Sequence, residues 1–302
     1  MSNVGVMSSV DAHLVTQFSS MMHIVAQQAR ARLRKYVNIK KMTGDVFAYD
    51  GLGSIEAREL DARFNPTVFD DINHFRRQIA KRRFGITLPM DSQDVDGMLT
   101  DPTGQYATAA VKAMERKFDR VVYDAMFATV NTGKTFTTPI TATSDGVLTV
   151  DATGGLTLIK ELEITRNFND NEVGNDVPVD ICQGIAGDEQ ETLLQIDQFI
   201  STRYTTSMAL EKGKVTNVAG IDMILFGDST TEPLLYVDGS NIRYSFAMAT
   251  GAMAMGLAHD GWTVKISERP DYYGVRQVQI EGTMGAVRTE GKLIQKVNTT
   301  KY

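Results

Sequence analysis

The chain has 302 residues, of which 42% are hydrophobic and 23% charged, an ordinary balance for a globular protein with a substantial core. No stretch approaches eighteen uncharged apolar residues, which excludes a transmembrane helix, and the first residues lack the charged and apolar regions of a secretion signal. The single cysteine, Cys182, cannot form an intrachain disulfide, so we expect a buried thiol in a protein that folds in a reducing cytoplasm.

The net charge of −6 is unevenly distributed. Residues 1–84 contain thirteen Lys and Arg against eight Asp and Glu, whereas the remainder contains eighteen against twenty-nine. Each basic group is either a solvated face or a surface that meets an acidic neighbour or nucleic acid, and no motif indicates sequence-specific reading. The first group is Arg30, Arg32, Arg34, Lys35, Lys40 and Lys41, and the second is Arg76, Arg77, Lys81, Arg82 and Arg83.

The first predicted elements are a helix and an extended ribbon. Residues 11–36 carry apolar side chains at three- and four-residue spacing, with cations crowded into the last turns, which is typical of an amphipathic helix. Residues 40–85 include sixteen charged side chains and frequent glycines, so we interpret them as a ribbon. Because a two-stranded ribbon is marginal alone in water, we expect another subunit to support it.

The longest predicted element is a helix over residues 102–130. Asp101 is a candidate N-cap, Pro102 suits the first helical position, and residues 131–133 supply the stop. At 1.5 Å per residue this helix is a rod of about 40 Å, longer than most helices of compact domains. The apolar stripe expected to anchor it includes Met114, Phe118 and Val121.

Helices and strands then alternate without regular βαβ units, which predicts an α+β fold. After short strands and turns in residues 137–150, the predicted helices are 156–168, 188–200 and 246–257. The predicted strands are 177–182, 215–226, 234–237, 262–266 and 274–289.

Patterns that would indicate catalysis are incomplete. Gly133-Lys134-Thr135 resembles the end of a phosphate-binding loop, but Ala128 stands where a glycine belongs and a helix precedes it. The four histidines have no ligand spacing, and one cysteine cannot complete a zinc site. We therefore expect no enzyme, no cofactor and no metal.

Three stretches of the sequence follow the order of parts in one protein family. Residues 46–53 (VFAYDGLG) open the ribbon, residues 99–106 (LTDPTGQY) lead into the long helix, and residues 266–271 (ISERPD) precede a strand reaching residues 285–288 (GAVR). In this order the chain resembles the major capsid proteins of tailed bacteriophages, which have the Hong Kong 97-type fold.

The resemblance implies an α+β Hong Kong 97-like capsid fold. Its implied parts are an N-terminal arm (1–39), an extended loop (40–90), a peripheral domain (91–185) with the spine helix (102–130), an axial domain (186–260) and a return to the peripheral domain (261–302).

The resemblance also implies function. The chain would self-assemble into hexamers and pentamers of an icosahedral shell around the DNA genome, in the host cytoplasm, and remain in the virion capsid. The implied partners are further copies, a separate scaffolding protein, a portal protein and packaged double-stranded DNA bound without sequence specificity, with no membrane. Each extended loop would lie over a neighbour's spine helix.

Two questions stay open on the sequence. The basic arm either faces inward, toward scaffold acids and then DNA, or pairs with an acidic loop of a neighbour such as residues 170–176. An encapsulin-like bacterial compartment shell is the alternative with the same fold. An enzyme with an unfamiliar site and a phage tail or connector protein are the alternatives of other classes.

Overall fold

A computed structural model describes residues 27–44, 46–57, 59, 69–90, 103–196, 215–228, 233–258, 261–272 and 274–301. Within these residues the chain forms three α-helices and fifteen β-strands arranged in three sheets. This mixture agrees with the α+β class predicted from the sequence.

The elements have the following bounds. The helices are α1 (Thr103–Phe127), α2 (Leu158–Asp170) and α3 (Gly187–Leu194). Short 3-10 turns cover Leu33–Lys35, Pro270–Tyr272 and Gly291–Leu293. The strands are β1 (Asn38–Lys41), β2 (Val46–Leu52), β3 (His74–Ala80), β4 (Arg82–Met90), β5 (Val130–Thr132), β6 (Thr138–Ile140), β7 (Leu148–Ala152), β8 (Ile181–Ile185), β9 (Asn217–Val218), β10 (Ile221–Leu225), β11 (Ile242–Ala249), β12 (Met253–Leu257), β13 (Thr263–Arg269), β14 (Val275–Arg288) and β15 (Ile294–Thr300).

The five-stranded sheet is built around β14. Its order is β1-β12-β14-β13, and β4 pairs with the other side of β14. The N-terminal half of α1 packs on this sheet, where Ala110 and Met114 contact Val278 and Ile280. The predicted long helix is confirmed over most of its length, although it ends at Phe127 because residues 130–132 pair into a strand.

The six-stranded sheet has the order β7-β15-β11-β8-β10-β9. Consecutive side chains of β11 point to opposite faces of the sheet, because side chains alternate along a strand. Ala247 packs with α2 and α3, whereas Phe246 packs with Val122 and Tyr123 in the C-terminal half of α1. One helix therefore braces two sheets.

The predicted ribbon is a hairpin of β2 and β3, and both strands belong to the four-stranded sheet β2-β3-β5-β6. At its base, Ile79 is fully buried among Met42, Val130 and Val287 of the same chain. The expectation that another subunit supports the whole ribbon is therefore corrected for this base. We call β2 and β3 with the residues between them the ribbon.

Two predicted elements take a different form. The methionine-rich stretch 246–257 is not a helix but the end of β11, a turn at residues 250–252, and β12. Both strands are buried on both faces, and such a continuous apolar run does not distinguish a strand from a buried helix. Residues 234–237 form only an isolated bridge, between Val237 and Arg243.

The predicted helix 11–36 is wrong over its described part. Residues 11–26 lie outside the described residues, and residues 27–36 contain only the turn Leu33–Lys35. The backbone N–H groups of Ala31, Arg32 and Leu33 donate to carboxylates of α1, so they are not available for helical hydrogen bonds.

The sheets do not follow the predicted domain limits. The six-stranded sheet contains strands from both sides of residues 185 and 260, because β8 and β15 both pair with β11 of the predicted axial domain, and β7 pairs with β15. Pairing between strands distant in sequence is set by tertiary packing, which local patterns do not report.

Candidate assembly surfaces

Two carboxylates of α1 hold the arm. Asp119 accepts hydrogen bonds from the backbone N–H groups of Arg32 (2.9 Å) and Leu33 (3.1 Å), and Glu115 accepts one from Ala31 (3.0 Å). Burial raises the pKa of Asp119 in spite of these hydrogen bonds. Glu115 also accepts from the indole N–H of Trp262 at 2.9 Å, so the arm, α1 and the start of β13 are joined at one point.

The predicted basic group of the arm is partly engaged within the chain. Lys35 lies 2.9 Å from Asp180, which raises the pKa of the lysine, and Arg34 lies 3.7 Å from Glu115. Arg34 also lies over the ring of Phe118, and two further cations contact rings or carbonyls: Arg32 stacks on Phe226 and donates to the carbonyl of Leu225, and Lys40 lies over Tyr49. Arg30 and Lys41 are exposed. The group is therefore not one bare positive patch.

A buried charge cluster fixes the ribbon base. Arg77 of β3 donates to both carboxylate oxygens of Asp145, at 2.7 and 2.6 Å, and Arg288 of β14 donates to the same carboxylate at 2.6 Å. Burial alone would raise the pKa of Asp145, but the hydrogen bonds from the two guanidinium groups hold it below its usual range. We call Arg77, Asp145 and Arg288 the base cluster.

The base cluster also caps the long helix. Arg288 donates to the carbonyls of Met126 (2.6 Å) and Ala128 (3.2 Å), where a cation complements the negative end of the helix dipole. Arg77 donates to the carbonyl of Arg288 at 3.2 Å. The cluster therefore ties the ribbon, α1 and β14 together.

In the second predicted basic group, one side chain is buried and four are exposed. Arg77 is buried in its own chain, so the structure replaces the expected contact with another subunit by an internal one. The other four side chains are exposed: Arg76 pairs with Asp50 across the hairpin at 2.6 Å, Arg83 pairs with Glu281, Lys81 donates to the carbonyl of Gly44 at 3.2 Å, and Arg82 lies on β4.

Two of the three predicted spine-helix core residues are buried. Met114 and Phe118 are buried, with 1% and 0% exposure, while Val121 is half-buried at the edge of the core.

Apolar side chains are exposed at the ribbon tip. The side chains of Leu52 (64%), Ile55 (53%) and Phe69 (92%) face solvent. Exposed large apolar side chains outside the core are candidates for a contact with another molecule. We call these three residues the ribbon tip.

A second apolar surface lies beside α1. Val264 and Ile266 of β13 pair opposite Ile280 and Val278 of β14, so all four share one face of the sheet. Val278 and Ile280 are fully buried under α1, but Val264 and Ile266 are 46% and 58% exposed. We call the uncovered pair the β13 strip.

A cleft of 670 Å³ opens at the ribbon base, with Asp50, His74, Arg76 and Lys134 in its wall. Arg76 and Asp50 neutralise each other there. Across the described ranges, no group of three His, Cys, Asp or Glu is placed to hold a metal ion. Within the same ranges, no helix is both long and apolar enough to cross a membrane.

Sequence reasoning missed the charged residues that organise these surfaces. Asp119, Asp145 and Arg288 are single charges in otherwise mixed or apolar stretches, and each acquires its partners from distant segments. The one local signal is Arg288 at the end of an apolar strand, since a buried position seldom accepts an unpaired arginine.

A long helix that braces two sheets, together with apolar side chains exposed on two surfaces, suits a structural protein that contacts other subunits. The sequence profile of the family described as phage capsid protein matches residues 10–300. The chain belongs to this family, and it is therefore a bacteriophage capsid protein, located in the capsid of the virion. The resemblance to major capsid proteins of tailed phages is confirmed, and nothing favours the encapsulin-like alternative.

Solved structures agree with this fold. The chain is similar to a protein in the capsid structure of the cyanophage P-SCSP1u, with a TM-score of 0.72, 12% identity, and 97% of this chain and 95% of that chain covered. It is also similar to a protein in the head structure of Helicobacter pylori bacteriophage KHP40, with a TM-score of 0.73, 8% identity, and 97% and 96% covered. No curated protein matches the sequence.

Proposed function

We propose that this capsid protein forms hexamers and pentamers of an icosahedral shell in which the ribbon tip of one subunit lies on the spine helix and β13 strip of a neighbour. The supporting observation is the ribbon tip itself, where Phe69 is 92% exposed although its own chain has a large core. The role is structural rather than enzymatic.

The two surfaces suit each other physically. The tip offers Leu52, Ile55 and Phe69, while the β13 strip offers Val264 and Ile266. Burying one such side chain contributes about 1.5–3 kcal/mol. A capsomer closes by repeated head-to-tail contacts of this kind, so a modest contribution recurs at every subunit.

The experiment is Phe69→Asp, with Ser54→Asp on the same exposed segment as the matched control. Losing the apolar contact weakens each interface roughly tenfold or more, so we expect Phe69→Asp subunits to fold with unchanged melting but to lose shells in electron micrographs. Ser54→Asp adds the same charge without removing apolar surface and assembles. Normal shells from Phe69→Asp would refute the ribbon contact.

We also propose that the arm faces the shell interior and meets scaffold acids and then DNA phosphates, without reading sequence. Portal and scaffolding proteins are the further partners in this proposal. The support is local: Arg30 is exposed, whereas Lys35 is engaged by Asp180. At physiological ionic strength such attraction acts over about 8 Å, so local charge matters more than the negative net charge.

Random-sequence DNA binding at several salt concentrations tests the arm. We expect Arg30→Gln to reduce the slope of log affinity against log salt by about one, because one phosphate contact is lost. Lys35→Gln is the control and leaves the slope unchanged, since that cation is already paired. If Arg30→Gln instead prevents capsomer formation, the arm pairs with a neighbouring subunit and the DNA proposal is wrong.

A further inference from the structure

A carboxyl group is buried under α2 without a cation. Glu161 is fully buried between α2 and the six-stranded sheet, and it faces Gln183 of β8, which is also fully buried. The Gln183 Nε2 donates to Glu161 Oε1 at 3.0 Å. This is the hydrogen bond that the side chain of Glu161 makes to the sheet.

The same pair contains two buried oxygens without partners. They are Glu161 Oε2 and Gln183 Oε1. An ionised carboxylate only accepts hydrogen bonds, so it leaves Glu161 Oε2 and Gln183 Oε1 without partners, and unsatisfied buried polar groups destabilise the fold. A neutral carboxylic acid has one O–H donor. A proton on Glu161 Oε2 gives Gln183 Oε1 the hydrogen-bond donor that it lacks.

The surroundings also oppose a negative charge on Glu161. From α3, Glu189 adds a second carboxyl, and Arg243 of β11 lies 3.9 Å from that second carboxyl. From β15, Gln295 is neutral and donates to the carbonyl of Ile164 at 2.9 Å. Burial, opposed by the Gln183 hydrogen bond and reinforced by Glu189, raises the pKa of Glu161 to about 8.

We infer that Glu161 is a neutral carboxylic acid in the folded chain and donates its Oε2 proton to Gln183 Oε1, closing a two-bond ring between α2 and β8. Loss of that proton places a second negative charge beside Glu189 and breaks one of the two bonds. The contact between α2 and the sheet is thereby a pH-sensitive element of the fold that weakens as the pH rises, independent of how subunits assemble.

The sign of the pH effect follows from the raised pKa. In the unfolded chain a glutamate loses its proton at about pH 4.3, whereas the folded chain retains it up to about pH 8. Stability from this group is therefore complete below the unfolded pKa, falls as the pH rises between the two values, and is constant above the folded pKa.

The test is thermal unfolding of full-length Glu161→Gln and wild type across this pH range. The new amide also donates to Gln183 Oε1, without a titrating proton, so we expect its melting temperature relative to wild type to rise from about pH 4.3 to about pH 8 and then stay constant. Glu163→Gln is the matched control on the same helix, because Glu163 is half-exposed and paired with Lys160 at 2.9 Å. A difference that does not change with pH would overturn the inference.

Infrared spectroscopy gives a second measurement if Glu161→Gln fails to fold. Wild type at neutral pH must show the carbonyl stretch of a protonated carboxylic acid, and this band must vanish in alkali. In Gln183→Leu, which lacks the acceptor, the band must move to higher frequency, while Glu163→Gln leaves it in place. Absence of the band at neutral pH, or a band insensitive to Gln183→Leu, contradicts the assignment.

Discussion

The ribbon base and the underside of α2 both bury a carboxyl group, yet they treat its charge in opposite ways. Asp145 meets two guanidinium groups, which hold its pKa below the usual range. Glu161 meets an amide and a second carboxyl, and its pKa rises to about 8. Burial acts in the same direction at both sites, so the partners alone decide which form is stable.

The difference gives the two regions opposite responses to pH. The base cluster contributes its stability above the unfolded pKa of Asp145 and loses it as the pH falls through the lowered folded value. The contact under α2 loses stability as the pH rises. A falling pH in the acid range therefore acts on the junction of the ribbon with the long helix, whereas a pH that rises toward about 8 acts on the six-stranded sheet.

The largest expected effect comes from Asp145→Ala. This change leaves Arg77 and Arg288 buried without their shared counterion, which costs about 3–5 kcal/mol. Chemical denaturation of unassembled subunits measures the loss, and the acid-side decline of wild type must be reduced in the variant.

The matched control for the base cluster is Asp50→Ala, which breaks the exposed pair with Arg76 on the same ribbon. Exposed ion pairs contribute little, so we expect unfolding close to wild type. Equal losses of unfolding free energy from Asp145→Ala and Asp50→Ala would contradict the expectation that the buried carboxylate contributes more than the exposed one.

A smaller effect is expected from Gly285→Ala, where β3 crosses β14. A Cβ at this position would lie 2.2 Å from the carbonyl oxygen of Ala80, so the ribbon base must move away from the sheet. Such overpacking costs about 1–3 kcal/mol. Hydrogen exchange should increase at β3 more than in the six-stranded sheet.

Gly104→Ala is the control for that substitution. Nothing lies within 4 Å of its added Cβ, and alanine favours a helix over glycine by about 1 kcal/mol. We expect this variant to be slightly more stable than wild type. A gain in stability from Gly285→Ala as well would show that the two strands have room to separate.

Much of the fold could be predicted from the spacing of apolar residues and from the glycines that interrupt it. The long helix, the hairpin of β2 and β3, and the strands β13 and β14 were predicted, because their apolar residues recur with one clear period or are interrupted by glycines. Strand β15 was not predicted. The stretch 246–257 was not, since residues buried on every side lose the periodic signal that separates strands from helices. The turn at Leu33–Lys35 was missed because α1 supplies its hydrogen-bond acceptors.

The organising contacts could not be predicted in the same way. The sequence marks Arg77 only as one of five nearby cations, and nothing local separates it from the exposed Arg76. Asp145 lies 68 residues from Arg77 and 143 from Arg288, so their meeting depends on the tertiary fold. The ribbon was inferred from composition, but the exposed apolar side chains of its tip needed the structure.

Because α1 is one continuous helix of 25 residues, about 38 Å long, it couples the orientations of the two sheets that it contacts. Its first half is packed on the five-stranded sheet through Met114, and its second half is fastened to the six-stranded sheet by the Tyr123 hydroxyl, which donates to the carbonyl of Tyr244 at 2.7 Å. A tilt of one sheet is therefore transmitted along the helix to the other sheet. Any change in shell curvature that turns one sheet must therefore turn both, or break the helix.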